Sequence, residues 1–191
     1  MSEEQLVNLE DLDFMFENEK VKVIANRNHP EIKLVGITVG PFEEAKEYEV
    51  MYWIARELER MGIAKFREEE KLDLIKLHKI HWKERAQTSR TIAQLPENFY
   101  PKLRRFLEEL KRKAVKDPEK MRDYEKAVRI AKDIVNCRMR KIVLLASTAA
   151  KTNQFLEKLT EEERILYDQI SSIISGWRKK ILKISSVGEK E

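Results

Sequence analysis

Residues 118–150 set the terms for the rest of the chain. They form the longest helical run, in which Tyr124, Ala127, Ala131, Ile134, Ile142, Leu145 and Ala149 fall along one face. Lys116-Asp117-Pro118 opens it, since Asp caps a helix and Pro suits the first helical position. A helix with one long apolar stripe needs other helices to cover that stripe. The sequence supplies them. Residues 68–87 carry Leu72, Ile75, Leu77, Ile80 and Trp82. Residues 100–115 repeat Leu103, Phe106, Leu107, Leu110 and Ala114 on one face. A last helix runs to about residue 183 with Leu166, Ile170, Ile173, Ile174, Trp177 and Ile181. Its entry, Thr160-Glu161-Glu162-Glu163, is a capping box in which Thr160 reaches forward and Glu163 reaches back. Residues 88–96 and 151–159 read as connections, and residues 185–191 as a frayed end.

The first third has a different period. Residues 21–25 alternate apolar and polar at their start, as a half-buried strand does. Residues 26–30 are turn chemistry. Residues 32–39 predict a second strand, closed by Gly40-Pro41. Residues 47–61 then read as a helix with Val50, Trp53, Ile54, Leu58 and Met61 on one face, ended by Gly62. Residues 63–66 look like a short closing strand. The expected fold is mainly α. A small N-terminal α+β (β-rich) domain, residues 1–66, precedes a larger helical-bundle domain, residues 67–191. The joint, Arg67-Glu68-Glu69-Glu70-Lys71, is short and compatible with continuous helix.

Two such domains fit a chain of 191 residues, which buries about 70 % of its unfolded surface without a metal or disulfide. Charged residues make up 38 %, against roughly 25 % in an average globular protein. Much of this is Lys and Glu, the pattern of ion-pair networks in heat-adapted proteins. The formal charge of +4 hides a split. Residues 1–70 hold 9 Lys/Arg against 17 Asp/Glu, a balance of −8; residues 71–191 hold 29 against 17, a balance of +12. That suggests surfaces with different partners. Cys137 is the one cysteine. It excludes an intramolecular disulfide and, in an apolar helical run, reads as a small core residue. The acidic start Met1-Ser2-Glu3-Glu4 is unlike a signal peptide. No stretch of 18 apolar residues would span a membrane.

Catalytic motifs are missing. Gly36-Ile37-Thr38-Val39-Gly40 lacks the Gly-Lys-Ser/Thr of a phosphate-binding loop and is not a dinucleotide turn. His78 and His81 share a helix face, yet His29 is distant and no cysteine cluster joins them, so a packed or solvated surface is expected rather than a metal site. No Ser, Thr or Cys lies in a nucleophile motif, and carboxylates are too numerous to single out an acid–base pair. Basic residues gather at Arg85 and Arg90, at Lys102, Arg104 and Arg105, at Lys111-Arg112-Lys113, at Arg138, Arg140 and Lys141, and at Arg178-Lys179-Lys180. A groove of these can track a phosphate backbone, with Arg104, Arg105, Lys111, Arg112 and Lys113 as candidate DNA contacts. Trp82, Phe99, Tyr100 and Trp177 could stack bases. Against that, the aromatics fall at core or helix-entry positions, and Glu interleaves the basic runs. Arg138 interrupts the stripe between Ile134 and Ile142. It needs a carboxylate, within the bundle or across an interface, or an aqueous exit along its stem.

Two segments resemble the GINS family. One is Leu95-Pro96-Glu97-Asn98-Phe99-Tyr100, entering a helix rich in Leu and Arg; the other is the Arg-x-x-Lys-Ile pattern of Arg138, Lys141 and Ile142, followed by Ala146. Residues 41–66, with Trp53-Ile54-Ala55-Arg56-Glu57-Leu58 and Gly62, are similar to the small β-rich domain of GINS subunits. With that domain first, the order resembles the archaeal subunit related to the eukaryotic Psf-two and Psf-three type. The resemblance implies a non-enzymatic scaffold of DNA replication with no cofactor. It implies a heterotetramer with a sister GINS subunit through helical-domain faces, two copies of each. It further implies binding to the MCM helicase and a RecJ-like partner, with contacts to primase or polymerase. Phe99, Tyr100, Arg138, Lys141 and Ile142 are then the candidates for bundle and subunit packing.

Overall fold

The computed structural model describes residues 9–183 except 35, 69–70, 89–90, 116 and 149–152. The acidic start, Arg90, Ala149 and residues 185–191 lie outside the described residues. The chain divides into two compact units: Met1–Asp73 with Tyr100–Glu109, and Leu74–Phe99 with Leu110–Glu191.

In the first unit, β1 (Lys20–Ala25) is the centre of an antiparallel sheet, between β4 (Glu47–Met51) and β5 (Ala64–Phe66). Val21, Val23 and Ala25 alternate inward along β1. They meet Val50, Ile54, Leu58 and Phe66 in one core with Phe42 and Ile63. A helix absent from the sequence reading, α1 (Leu9–Glu17), precedes the sheet and buries Phe16. Phe16, Tyr52 and Phe66 form a ring cluster, with centroids 4.3 and 5.3 Å apart. Burial pushes the Tyr52 phenol up to about 12.

Two expected elements are divided differently. Residues 32–39 are not one strand but a hairpin, β2 (Ile32–Leu34) and β3 (Ile37–Val39), with Leu34 opposite Ile37. Gly36, at φ +81°, lets the chain reverse there. The helix expected over 47–61 is α2 (Tyr52–Arg60) alone. Residues 47–51 are β4, paired in full with β1 from Lys20↔Met51 to Ile24↔Glu47. Their Glu-Tyr-Glu-Val-Met order suits either period, and the free edge of β1 decides the matter. Gly62 ends α2 as expected. At φ +68° it donates to the Glu59 carbonyl at 3.0 Å, and Ile63 donates to Leu58 at 2.9 Å, the paired bonds of a Schellman ending.

In the second unit, α5 (Pro118–Ser147) packs against α3 (Leu74–Ala86) and α7 (Glu161–Leu182), with the short α6 (Asn153–Leu156) between α5 and α7. Asp117 caps α5 by accepting from Glu119 N–H at 2.9 Å, with Pro118 in the first turn. The capping box at Thr160 and Glu163 opens α7. α4 (Phe99–Ala114) begins and ends in this unit, while its middle, Tyr100–Glu109, groups with the first.

α3 turns Leu77 inward as expected, and Ile80 partly, but the rest of its expected row does not follow. Leu77 and Glu84 are buried and Leu74, His78 and His81 partly so, whereas Ile75 and Trp82 are exposed. An apolar stripe cannot foresee this, because the inward row is half polar. The charged side chains of α5 that it meets supply the partners that make such a row tolerable.

Candidate functional site

The second unit is organised around four buried charges. Arg138 sits on the apolar side of α5, where no water can solvate it. Its guanidinium forks between two carboxylates. Nη1 donates to Glu84 Oε2 of α3 at 2.8 Å, while Nη2 donates to Glu163 Oε2 of α7 at 2.6 Å and Nε to Glu163 Oε1. Nη1 also donates to the Ala93 carbonyl at 2.7 Å. One turn on, Lys141 Nζ donates to Glu84 Oε1 at 2.6 Å and to the Glu84 carbonyl at 3.0 Å. Glu84 Oε2 accepts from Ala93 N–H at 3.2 Å. Two anions meet two cations, so the cluster is neutral. Planar bidentate pairing and backbone bonds satisfy charges whose desolvation would otherwise be prohibitive.

Glu163 has a second task. It is the reaching-back residue of the capping box, its Oε2 accepting from Thr160 N–H at 3.1 Å while Thr160 Oγ1 accepts from Glu163 N–H at 3.4 Å. The first turn of α7 is thereby tied to α5 through one carboxylate. Sequence reading identified Arg138 as a charge on an apolar stripe, needing a carboxylate or an aqueous exit, and Glu163 as a cap. It did not join them, and it missed Glu84. The usable signal was a charge on an apolar stripe, which requires carboxylates equally far from solvent.

The other packing candidates also lie inward. Phe99 is buried at the start of α4, Tyr100 is half-buried, and Ile142 packs with Ala146 and Tyr167 between α5 and α7. These side chains, with Arg138 and Lys141, are taken up within the chain.

Exposed apolar residues lie elsewhere. On α7, Leu166, Ile170 and Ile174 pack against the α5 core. The same side continues as Ile173, Trp177 and Ile181, which are 71 %, 61 % and 60 % exposed. Arg138 of α5 meets Glu163 of α7, and the Ser147 carbonyl accepts from Arg178 at 2.5 Å, so the two helices run in the same direction, and Ile181 lies beyond the end of α5 at Ser147. On the flank of α5, Val135, Met139 and Val143 follow at i, i+4 and i+8, each about two-fifths exposed. Trp82 of α3 is 72 % exposed. Trp82 and Trp177 are therefore not core residues, contrary to the sequence reading. A helical stripe fixes which side of a helix is apolar but not where its neighbour stops.

The basic candidates separate into two groups. Within the first unit, Arg104 pairs with Asp13, and Arg105 pairs with Glu17 and with Glu108 at 3.4 Å. Each of these two guanidinium groups therefore already has a carboxylate of α1 beside it. Lys111, Arg112 and Lys113 are exposed on the last turn of α4.

A hollow beside Tyr52, Phe66, Lys71, Arg105 and Phe106 holds about 70 Å³, less than the roughly 300–1,000 Å³ of ligand sites. Among the described residues no group of three His, Cys, Asp or Glu side chains could hold a metal ion. His81 Nε2 lies 3.5 Å from Asp133, and His78 Nε2 is buried without a hydrogen bond. Cys137 is part-buried, its Sγ 4.0 Å from Glu84 Oε1. No helix among the described residues is long and apolar enough to cross a membrane.

The pattern of the GINS complex protein helical bundle domain matches residues 67–182, and that of the PSF2 N-terminal domain matches residues 8–66. The chain is similar to the DNA replication complex GINS protein PSF2 of Xenopus laevis, 30 % identical over 97 residues, or 51 % of each chain. The Homo sapiens protein of the same name gives the same identity and the same coverage. The matched stretch spans about half the length of these curated relatives.

Proposed function

The chain belongs to the GINS family, with an N-terminal domain of the PSF2 type, and from that premise we propose that it is a non-enzymatic subunit of a DNA replication complex. It acts by holding other proteins together, in the cytoplasm at the replication fork. One observation carries this reading: the helical unit leaves Ile173, Trp177 and Ile181 of α7 and Val135, Met139 and Val143 of α5 outside its own core. Aromatic and aliphatic side chains exposed on two helices have the composition of a subunit interface centre. The first partner is a sister GINS subunit, docked on these helical faces in a tetramer with two copies of each chain. The boundary between the β-rich and helical domains is placed between Phe66 and Arg67.

The tetramer would bind the MCM helicase and a RecJ-like protein, with further contacts to primase or polymerase. Stimulation of the helicase requires tighter binding to its active state than to its inactive one, since equal affinity for both would shift nothing. The buried charges support a scaffold rather than an enzyme. Arg138, Lys141, Glu84 and Glu163 are fully engaged with one another, out of reach of any substrate.

Co-expression with a sister subunit, followed by mass measurement of the purified complex, tests the proposal. The expected mass is that of two copies of each chain. A monodisperse monomer that elutes apart from every sister subunit would overturn it.

A further inference from the structure

Besides the exposed Lys111, Arg112 and Lys113 of α4, a further set of exposed cations lies on a face of α5 that the sequence did not single out. Arg122, Lys126 and Arg129 stand at i, i+4 and i+7 on α5, within about 60° of one another around the axis and spanning about 10 Å along it. All three are exposed. With Glu125 they line a surface hollow of about 430 Å³. None is ion-paired among the described residues. Of the nearby acids, Asp123 lies 3.5 Å from Lys120 and Asp133 lies 3.5 Å from His81. Arg140, also exposed, continues the row three turns further on.

Four charged side chains, three of them cations, line this hollow, with no apolar or aromatic residue among them. An acidic protein partner would need anchors that this lining lacks, since interfaces concentrate their energy in buried aromatic and aliphatic groups. A phosphodiester backbone needs none, because cations that displace its counterions supply the affinity. A single strand would also seek aromatic rings for stacking. We infer that the outer face of α5, through Arg122, Lys126 and Arg129, binds the phosphate backbone of duplex nucleic acid without reading its sequence. The inference is independent of the subunit reading above, which rests on the apolar faces.

The test is fluorescence anisotropy of a labelled duplex titrated with the full chain, as purified with whatever sister subunit it requires. Three phosphate contacts give a slope of about −2.7 in log K against log salt, a loss of roughly 40-fold between 50 and 200 mM. The Arg122→Gln/Lys126→Gln/Arg129→Gln variant, with unchanged helix content, is expected to lose at least tenfold in affinity at the lower salt and most of that slope. Lys33→Gln/Lys65→Gln, at two exposed lysines of the first unit, is expected to bind within twofold of the parent. Four results would overturn the inference: no salt-dependent binding by the parent, equal binding by the triple variant, equal affinity for a single strand, or competition by polyglutamate as strong as by unlabelled duplex.

Discussion

Replacing Arg138 by Met removes one charge from a cluster that is neutral only as a whole. Glu84 keeps Lys141 at 2.6 Å, while Glu163 loses the guanidinium and keeps the Thr160 amide. The buried cluster then holds one negative charge in excess, at a cost of about 3–5 kcal/mol. Glu163→Gln fails in the opposite sense. It retains an oxygen for Thr160 and for Arg138 but leaves one positive charge in excess, at a similar cost. The informative variant carries both changes, because Lys141 and Glu84 then remain as a neutral pair. If the singles were independent, the double variant would lose roughly 6–10 kcal/mol, enough to unfold most domains. Restored neutrality instead predicts a loss near that of one single, a coupling of at least about 2 kcal/mol. Helical circular dichroism through a urea titration measures it. In a melt, each single is expected to lower the midpoint by roughly 6–20 °C for a domain of this size. Effects that add to within about 0.5 kcal/mol would refute the reasoning, since they would mean that the carboxylates do not sense the guanidinium.

Three further outcomes follow from the same description. Trp177→Glu should leave urea stability within about 0.5 kcal/mol, as expected of an exposed site, while weakening association with a sister subunit by at least about 2 kcal/mol, measured by calorimetry on the two purified chains. Gly62→Ala should cost about 1 kcal/mol in urea unfolding of the first unit, entirely from the backbone, because φ is +68° and a Cβ there would meet nothing within 4 Å. Tyr52 sets an alkaline limit. Its folded value, about 12, lies above the unfolded 10, so the unfolded chain loses its proton first; the stability is whole below pH 10 and is lost as pH rises towards 12. Phenolate absorbance and unfolding monitored together should show this decline, and Tyr52→Phe should remove it.

What the sequence made legible depended on how local the cause was. The capping box at Thr160, the Asp117-Pro118 entry and the Gly62 ending are settled within a turn of chain, and each could be read directly. β4 could not, because Glu47 to Met51 suit either element until β1 offers an edge. α1 has too short an apolar row to stand out from its acidic surroundings. α3 was misread because its inward side holds His78, His81 and Glu84, whose burial makes sense only beside Asp133, Arg138 and Lys141 on another helix. Trp82 and Trp177 carry the complementary lesson. Periodicity marks them as apolar-side residues, but a three-dimensional neighbour decides whether that side is covered. The candidate cations divided for the same reason, since Asp13 and Glu17 lie some ninety residues from the Arg side chains that they neutralise.

The double employment of Glu163 constrains how this chain can drift. A shorter acid could still start the last helix yet fall short of the guanidinium, and a longer polar substitute could reach it while slackening the first turn. Changes at Thr160, Glu163 and Arg138 must therefore travel as a set. Among relatives sharing the Arg-x-x-Lys-Ile pattern, the acid at the head of the final helix should covary with the arginine rather than with its own neighbours in sequence.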